Sequence, residues 1–159
     1  AVKVSATFEH AADRVRVRLR VWAEGVGHRL PTGFIDRHLV LVVEGQGADG
    51  RPLLLWSGPR LPALAGPELA GQPGRLYARI LRDFDGHSPT PFWLATPDPP
   101  LDTRLAPGKV EETTFEFPPT LTRLHVRVLY RRFWPEVAHA KHWPDGDRLI
   151  YEETFPRSP

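Results

Sequence analysis

Cysteine and methionine are both missing from the 159 residues. Without cysteine there are no disulfides, thiolate zinc sites or thiol nucleophiles, and the redox compartment stays undecided. Lysine is scarce: Lys3, Lys109 and Lys141 stand against eighteen arginines. Neither sign of charge dominates, since 21 basic residues meet 19 acidic ones for a net charge of +2. That balance is too even to indicate nucleic acid or an anionic membrane. No apolar run approaches the ~18 residues that cross a bilayer as a helix, so no transmembrane segment is expected. No G-x-S-x-G, P-loop, dinucleotide fingerprint or HExxH occurs, and no nucleophile with an adjacent base is visible. The chain is therefore expected not to be an enzyme. With eighteen prolines, the arginine preference makes a composition compatible with a thermophilic source.

What the chain does have is alternation. Val2, Val4, Ala6 and Phe8 alternate with Lys3, Ser5, Thr7 and Glu9. Val15, Val17, Leu19 and Val21 alternate more strongly with Arg14, Arg16, Arg18, Arg20 and Trp22. Period 2 of this quality predicts half-buried antiparallel strands. Asp49-Gly50 favours a hairpin turn, with Leu53 to Trp56 returning as partner strand. Further strands are expected over 75–82 and 110–117. The longest, 122–133, turns Leu124, Val126, Val128 and Tyr130 inward and Arg123, His125, Arg127, Leu129 and Arg131 outward. A last strand covers 149–155. Long loops fall at 57–74, with one helical turn around Pro67 to Ala70, and at 88–107, where Phe92, Trp93 and Leu94 are expected to cap one end of the core. The segment Trp134 to Asp147 reads as polar and irregular. About eight strands with little helix predict one all-β domain over 1–159, an antiparallel β-sandwich of immunoglobulin-like or jelly-roll type.

The chain is organised around Gly25 to Val43, GVGHRLPTGFIDRHLVLVV. Three glycines and Pro31 constrain the loop that presents His28. Ile35 and Leu39 to Val43 then read as a strand buried on both faces. Such a loop is either a corner between sheets, with His28 pinned to backbone carbonyls, or a device for aiming the histidine.

This stretch resembles the GHxLPTG signature of the β-sandwich domain that accompanies c-type haem modules in bacterial multihaem cytochromes. GRLYARILRDFDG (74–86), DTRLAPG (102–108) and LYR (129–131) follow in the same order, so the resemblance spans roughly 15–133. The chain departs from the pattern in carrying Glu24 where asparagine is frequent, and in having no CxxCH, so it cannot attach a c-type haem covalently. The resemblance implies the sandwich without its haem module, either part of a longer protein or working beside a separate cytochrome. It implies partner- or haem-facing roles for His28, Arg29, Pro31 and Thr32, and structural loop roles for Asp102, Arg104, Tyr130 and Arg131. Asp102 can hold its loop either through Arg104 or by accepting backbone N–H groups.

Two other constellations could carry chemistry. Arg16, Arg18 and Arg20, with Arg123, Arg127 and Arg131, lie at period 2 on polar strand faces. They form either a basic face for phosphate, haem propionates or an acidic partner, or a solvated face neutralised across strands by Glu112, Glu116 and Glu152. His139 and His142 are spaced HxxH, and His28 could join them in a zinc or copper site. The leading expectation is a non-catalytic, extracytoplasmic sandwich that supports electron transfer by packing against a c-type haem module or cytochrome partner. It would hold no covalent cofactor of its own but could contact the partner's haem. A start at Ala1 without methionine suits a processed chain, which places it in the periplasm or outside the cell. The alternatives are a ligand-, glycan- or adhesion-type sandwich using the long loops, and a small metal-binding protein using the loop histidines.

Overall fold

Two antiparallel sheets face one another, and irregular chain covers the back of one of them. The structure, a computed structural model, describes residues 1–144 and 146–157. β1 (Val2–His10), β2 (Val15–Ala23) and β7 (Val110–Phe117) form a three-stranded sheet in the order β1-β2-β7. β4 (Gly74–Tyr77), β3 (His38–Gln46), β8 (Arg123–Arg131) and β9 (Arg148–Pro156) form a four-stranded sheet in the order β4-β3-β8-β9. β5 (Arg79–Ile80) and β6 (Leu101–Asp102) make a separate two-stranded hairpin. The all-β antiparallel architecture expected from the alternation is the one observed, with nine strands among the described residues instead of about eight.

The core between the sheets is built from the alternating residues. Val15, Val17, Leu19 and Val21 of β2 meet Leu39, Leu41 and Val43 of β3 and Leu124, Val126 and Val128 of β8. Phe115 and Phe117 of β7 fill the same layer. On the outer face of the three-stranded sheet Arg14, Arg16 and Arg18 are neutralised across strands. Arg14 and Arg16 both bond Glu116, and Arg18 reaches Glu9 and Glu112. Hydrogen bonds from Arg16 and Arg14 hold the Glu116 carboxyl below its ordinary value. This stripe is a solvated, paired face.

The four-stranded sheet is covered on its second face as well. Val40 and Val42 of β3, Leu76 of β4 and Leu129 of β8 pack under Leu61, Ala65, Leu69 and Trp134. Two expectations change here. The chain over 57–73 is a lid on the sheet, carrying a 3-10 turn at Ala63–Ala65. Trp134 to Lys141 is ordered by a short helix, α1 (Pro135–Ala140), with proline in its first turn, where no N–H is needed.

This cover also overturns the outward placement of Leu129 and Arg131. Arg131 is 8% exposed, and it lies in β8 rather than in a loop, as does Tyr130. Its guanidinium bonds the Asp147 carboxylate through two nitrogens and the Ala65 carbonyl at 2.6 Å. One side chain thus ties β8 to the lid and to the segment before β9. Beside it, in register across β3 and β8, lies His38, fully buried. Its ring stacks on Trp134 at 4.1 Å and its Nδ1 is 2.7 Å from the Asp36 carbonyl.

Leu53 to Trp56 does not form the expected partner strand. Leu53 N–H bonds the Gly45 carbonyl, but the chain then crosses to the other sheet, where Ser57 and Glu116 exchange N–H···O bonds. Pro52, which has no N–H to donate, bridges Gln46 before the crossing. The expected strand over 75–82 is likewise broken at Ala78. There the Thr103 hydroxyl accepts from Ala78 N–H at 3.0 Å and donates to the Leu76 carbonyl at 2.8 Å. The chain leaves β3 and pairs with β6 instead.

Candidate functional site

Three segments far apart in sequence meet at one exposed edge of the domain. The loop 28–37 is joined to residue 105 by a reciprocal pair of bonds, Leu30 N–H to Leu105 O and Leu105 N–H to Leu30 O, both 2.9 Å. Arg79 of β5 sits opposite Asp102 of β6. Arg104 binds Asp102 through Nε at 2.9 Å and a terminal nitrogen at 2.7 Å, and its backbone N–H adds a third bond to the same carboxylate. These contacts, the Arg104 side chain first, hold the Asp102 carboxyl below the usual range against the opposing effect of burial. Arg29 reaches across to the Arg104 carbonyl at 3.4 Å and lies 3.9 Å from Asp102. Asp102 therefore secures its loop in both of the ways its position suggested.

The exposure of the loop residues separates scaffold from surface. Pro31 is buried, whereas His28, Arg29 and Thr32 are exposed. His28 keeps a contact to a backbone carbonyl, but a local one. Its Nδ1 lies 3.1 Å from the carbonyl of Arg29, the next residue, at the surface. That contact spans no corner; the Leu30–Leu105 bridge does. The imidazole is exposed apart from that contact.

Apolar side chains are exposed in these segments and on the chain between β5 and β6. Phe34 is 52% exposed within the loop, and Leu101 is 62% exposed in β6. Between β5 and β6 the chain makes an excursion, closed at its base by Thr96 N–H bonding the Arg82 carbonyl. Phe84, Phe92, Trp93 and Leu94 stand exposed on it. The expected core cap is thus a displayed surface. Phe92–Leu94 form a short 3-10 turn, and Phe92 and Trp93 pack edge to face on each other instead of on the core.

The other expected site residues do not join this edge. His139 lies in the last turn of α1 and His142 follows it in a left-handed conformation, φ 54°. Among the described residues no third ligand group converges on them. His139 instead lines a groove of about 880 Å³ between the lid, the start of α1, Ser88-Pro89 and the residues Trp143, Gly146 and Asp147, with Phe133 and Trp134 also in its wall. The groove was invisible in the sequence because its walls come from four separate segments. Asp83, Asp85 and His87, spaced DxDxH, do place one ligand atom each within 4.8 Å of one another. Backbone N–H groups of Asp85 and His87 bond the Asp83 carboxylate, which accounts for the cluster as a turn.

The decisive comparison is with a solved structure. The similar protein is a multihaem cytochrome. It is a penta-haem cytochrome c552 from Thermochromatium tepidum, matched with a TM-score of 0.76 over 98% of this chain at 23% identity. The chain spans 39% of that cytochrome's length. At this identity the match shows a shared fold. No family model and no curated protein matches the chain.

Proposed function

We propose that this chain is a non-catalytic, extracytoplasmic β-sandwich that supports electron transfer by docking against a c-type haem module. The edge that docks is the one formed by the loop 28–37 and the β5–β6 hairpin. The observation that carries this reading is the convergence of GHRLPTG, RLYARI and DTRLAPG on one surface that displays an exposed histidine, arginines, Phe34 and Leu101. The fold likeness to a penta-haem cytochrome c552 supports it, since the chain corresponds to less than half of that protein. Lacking cysteine, the chain would contribute packing and side chains while the partner carries the covalent haem. His28 would then face the partner's haem, as axial ligand or hydrogen-bond partner, with Arg29 and Thr32 beside it.

The test is His28→Ala, read in two ways. The melt of the isolated variant should stay within about 0.5 kcal/mol of wild type, because the exposed ring makes one local contact. Added to the multihaem c-type cytochrome of the same source, the wild-type chain should shift the haem absorption bands and the variant should not. Identical shifts from both chains would remove His28 from the interface.

A second reading has its own observation. The groove walled by Phe133, Trp134 and Trp143 has the size and lining of a small-molecule site, which favours a ligand-binding sandwich. It would be supported by saturable quenching of tryptophan fluorescence that Trp143→Ala abolishes.

A further inference from the structure

We propose that a small pocket under the Gly33 turn binds one oxyanion of carboxylate or phosphate type. It encloses about 90 Å³ between the loop and the β5–β6 hairpin, and Arg37, Arg79 and Arg104 all line it. Pro31, Phe34 and Ile35 supply apolar walls. The space suits a single carboxylate or phosphate group and excludes a ring system.

The charges around it are unbalanced. Asp102 is bound to Arg104 at 2.7 Å and shared with Arg29. Among the described residues, neither Arg37 nor Arg79 has a carboxylate within ion-pair distance. Arg37 has a 3.5 Å contact to the Thr32 carbonyl. Asp36, its neighbour in sequence, forms no ion pair with it among the described residues, and burial raises the Asp36 carboxyl. Guanidinium groups held around one small space repel until an anion separates them, and their forked donors match the paired oxygens of a carboxylate or phosphate.

The turn is shaped to bring Arg37 there. Gly33 has φ +91°, and a Cβ on it would lie 2.5 Å from a terminal nitrogen of Arg37. The backbone angle favours glycine at the end of the LPTG stretch, and the Arg37 guanidinium occupies the room a side chain would take. The pocket does not depend on the haem reading. Free phosphate and a carboxylate displayed by a docked partner offer the same chemistry.

The experiment uses the isolated chain, so its outcome is independent of any cytochrome. Thermal melts are compared in sodium phosphate, sodium propionate and sodium chloride at equal ionic strength. One of the two oxyanions should raise Tm by about 3–6 °C at a tenfold excess over its Kd, and the rise should saturate. Preference for propionate identifies a carboxylate site, and preference for phosphate an inorganic-ion site. Arg37→Gln and Arg79→Gln combined should melt as wild type does in chloride and lose the oxyanion effect. No rise beyond chloride, or an equal rise in the double variant, would overturn the proposal. Should the double variant fold poorly, amide NMR shifts of the wild type decide. Saturable movement at Gly33, Arg37 and Arg79 supports the site, and its absence refutes it.

Discussion

Replacing Val126 by Asp is expected to leave no cooperative unfolding transition at 25 °C. Val126 is 0% exposed, in the middle of β8, packed in the layer between the two sheets. An aspartate there would place a carboxylate opposite Val43, inside the apolar cluster that β2, β3, β7 and β8 share, with no cation in that cluster to meet it. An unpaired buried charge costs several kcal/mol even after protonation relieves it, against a total stability of about 5–15 kcal/mol for a domain of this kind. The same substitution at Val110, 46% exposed in β7, should cost little and serves as control. A folded Val126→Asp chain with native-like melting would mean the two sheets do not share this core.

The second large effect is a loss of stability between pH 6.5 and pH 4. Burial pushes the His38 imidazole down to about 4, with a minor further push from the Arg131 charge, while the Asp36 carbonyl and the Asp147 carboxylate act in the opposite direction. An unfolded histidine titrates near 6.5. The folded state therefore refuses a proton that the unfolded state accepts, and stability rises with pH across that window. The contribution is complete above about pH 6.5, falls as pH drops towards 4, and is then exhausted. The shift corresponds to about 3 kcal/mol as an upper figure. His38→Phe keeps the stack on Trp134 but leaves the Asp36 carbonyl without its partner. It should be less stable at pH 7 and flat between pH 6.5 and 4. Urea unfolding at several pH values checks this, and an unchanged slope in the variant would assign the loss to another group. Asp102 and Glu116, whose carboxyls are lowered, lose their contributions only at more acidic pH.

The parts of the fold legible in the sequence are those where one face is dry and one wet. β2 and β8 announce themselves because most of their inward valines and leucines are followed by an outward polar residue, at the strand periodicity of two. The Leu39–Val43 run correctly marks a strand buried on both sides. What the pattern could not tell was what covers the second face. Arg131 alternates like a solvent-facing residue, yet the lid and Asp147 enclose it. That burial is decided by the distant Ala65 carbonyl, which leaves no mark near residue 131. Leu53 to Trp56 looks like a hairpin return because Asp49-Gly50 is a true turn, but the segment is recruited by the edge of β7. Phe92 to Leu94 look like core because they are aromatic and apolar, although nothing local forces them inward.

The candidate site was half legible for the same reason. His28, Arg29 and Thr32 stand out through their loop, and Asp102 and Arg104 through their spacing. Arg37 and Arg79 carry no signal of their own among eighteen arginines. They gain meaning only when Gly33 and the β5–β6 hairpin bring them to one pocket.

The docking claim is tested most directly by hydrogen exchange of this chain, alone and with the multihaem c-type cytochrome of the same source. Slowed exchange is expected at 28–37, 79–80 and 101–104 and in the aromatic excursion around 92–94, with the outer face of β1 and β2 unchanged. Protection confined to the groove residues 131–143, or none anywhere at saturating cytochrome, would contradict it.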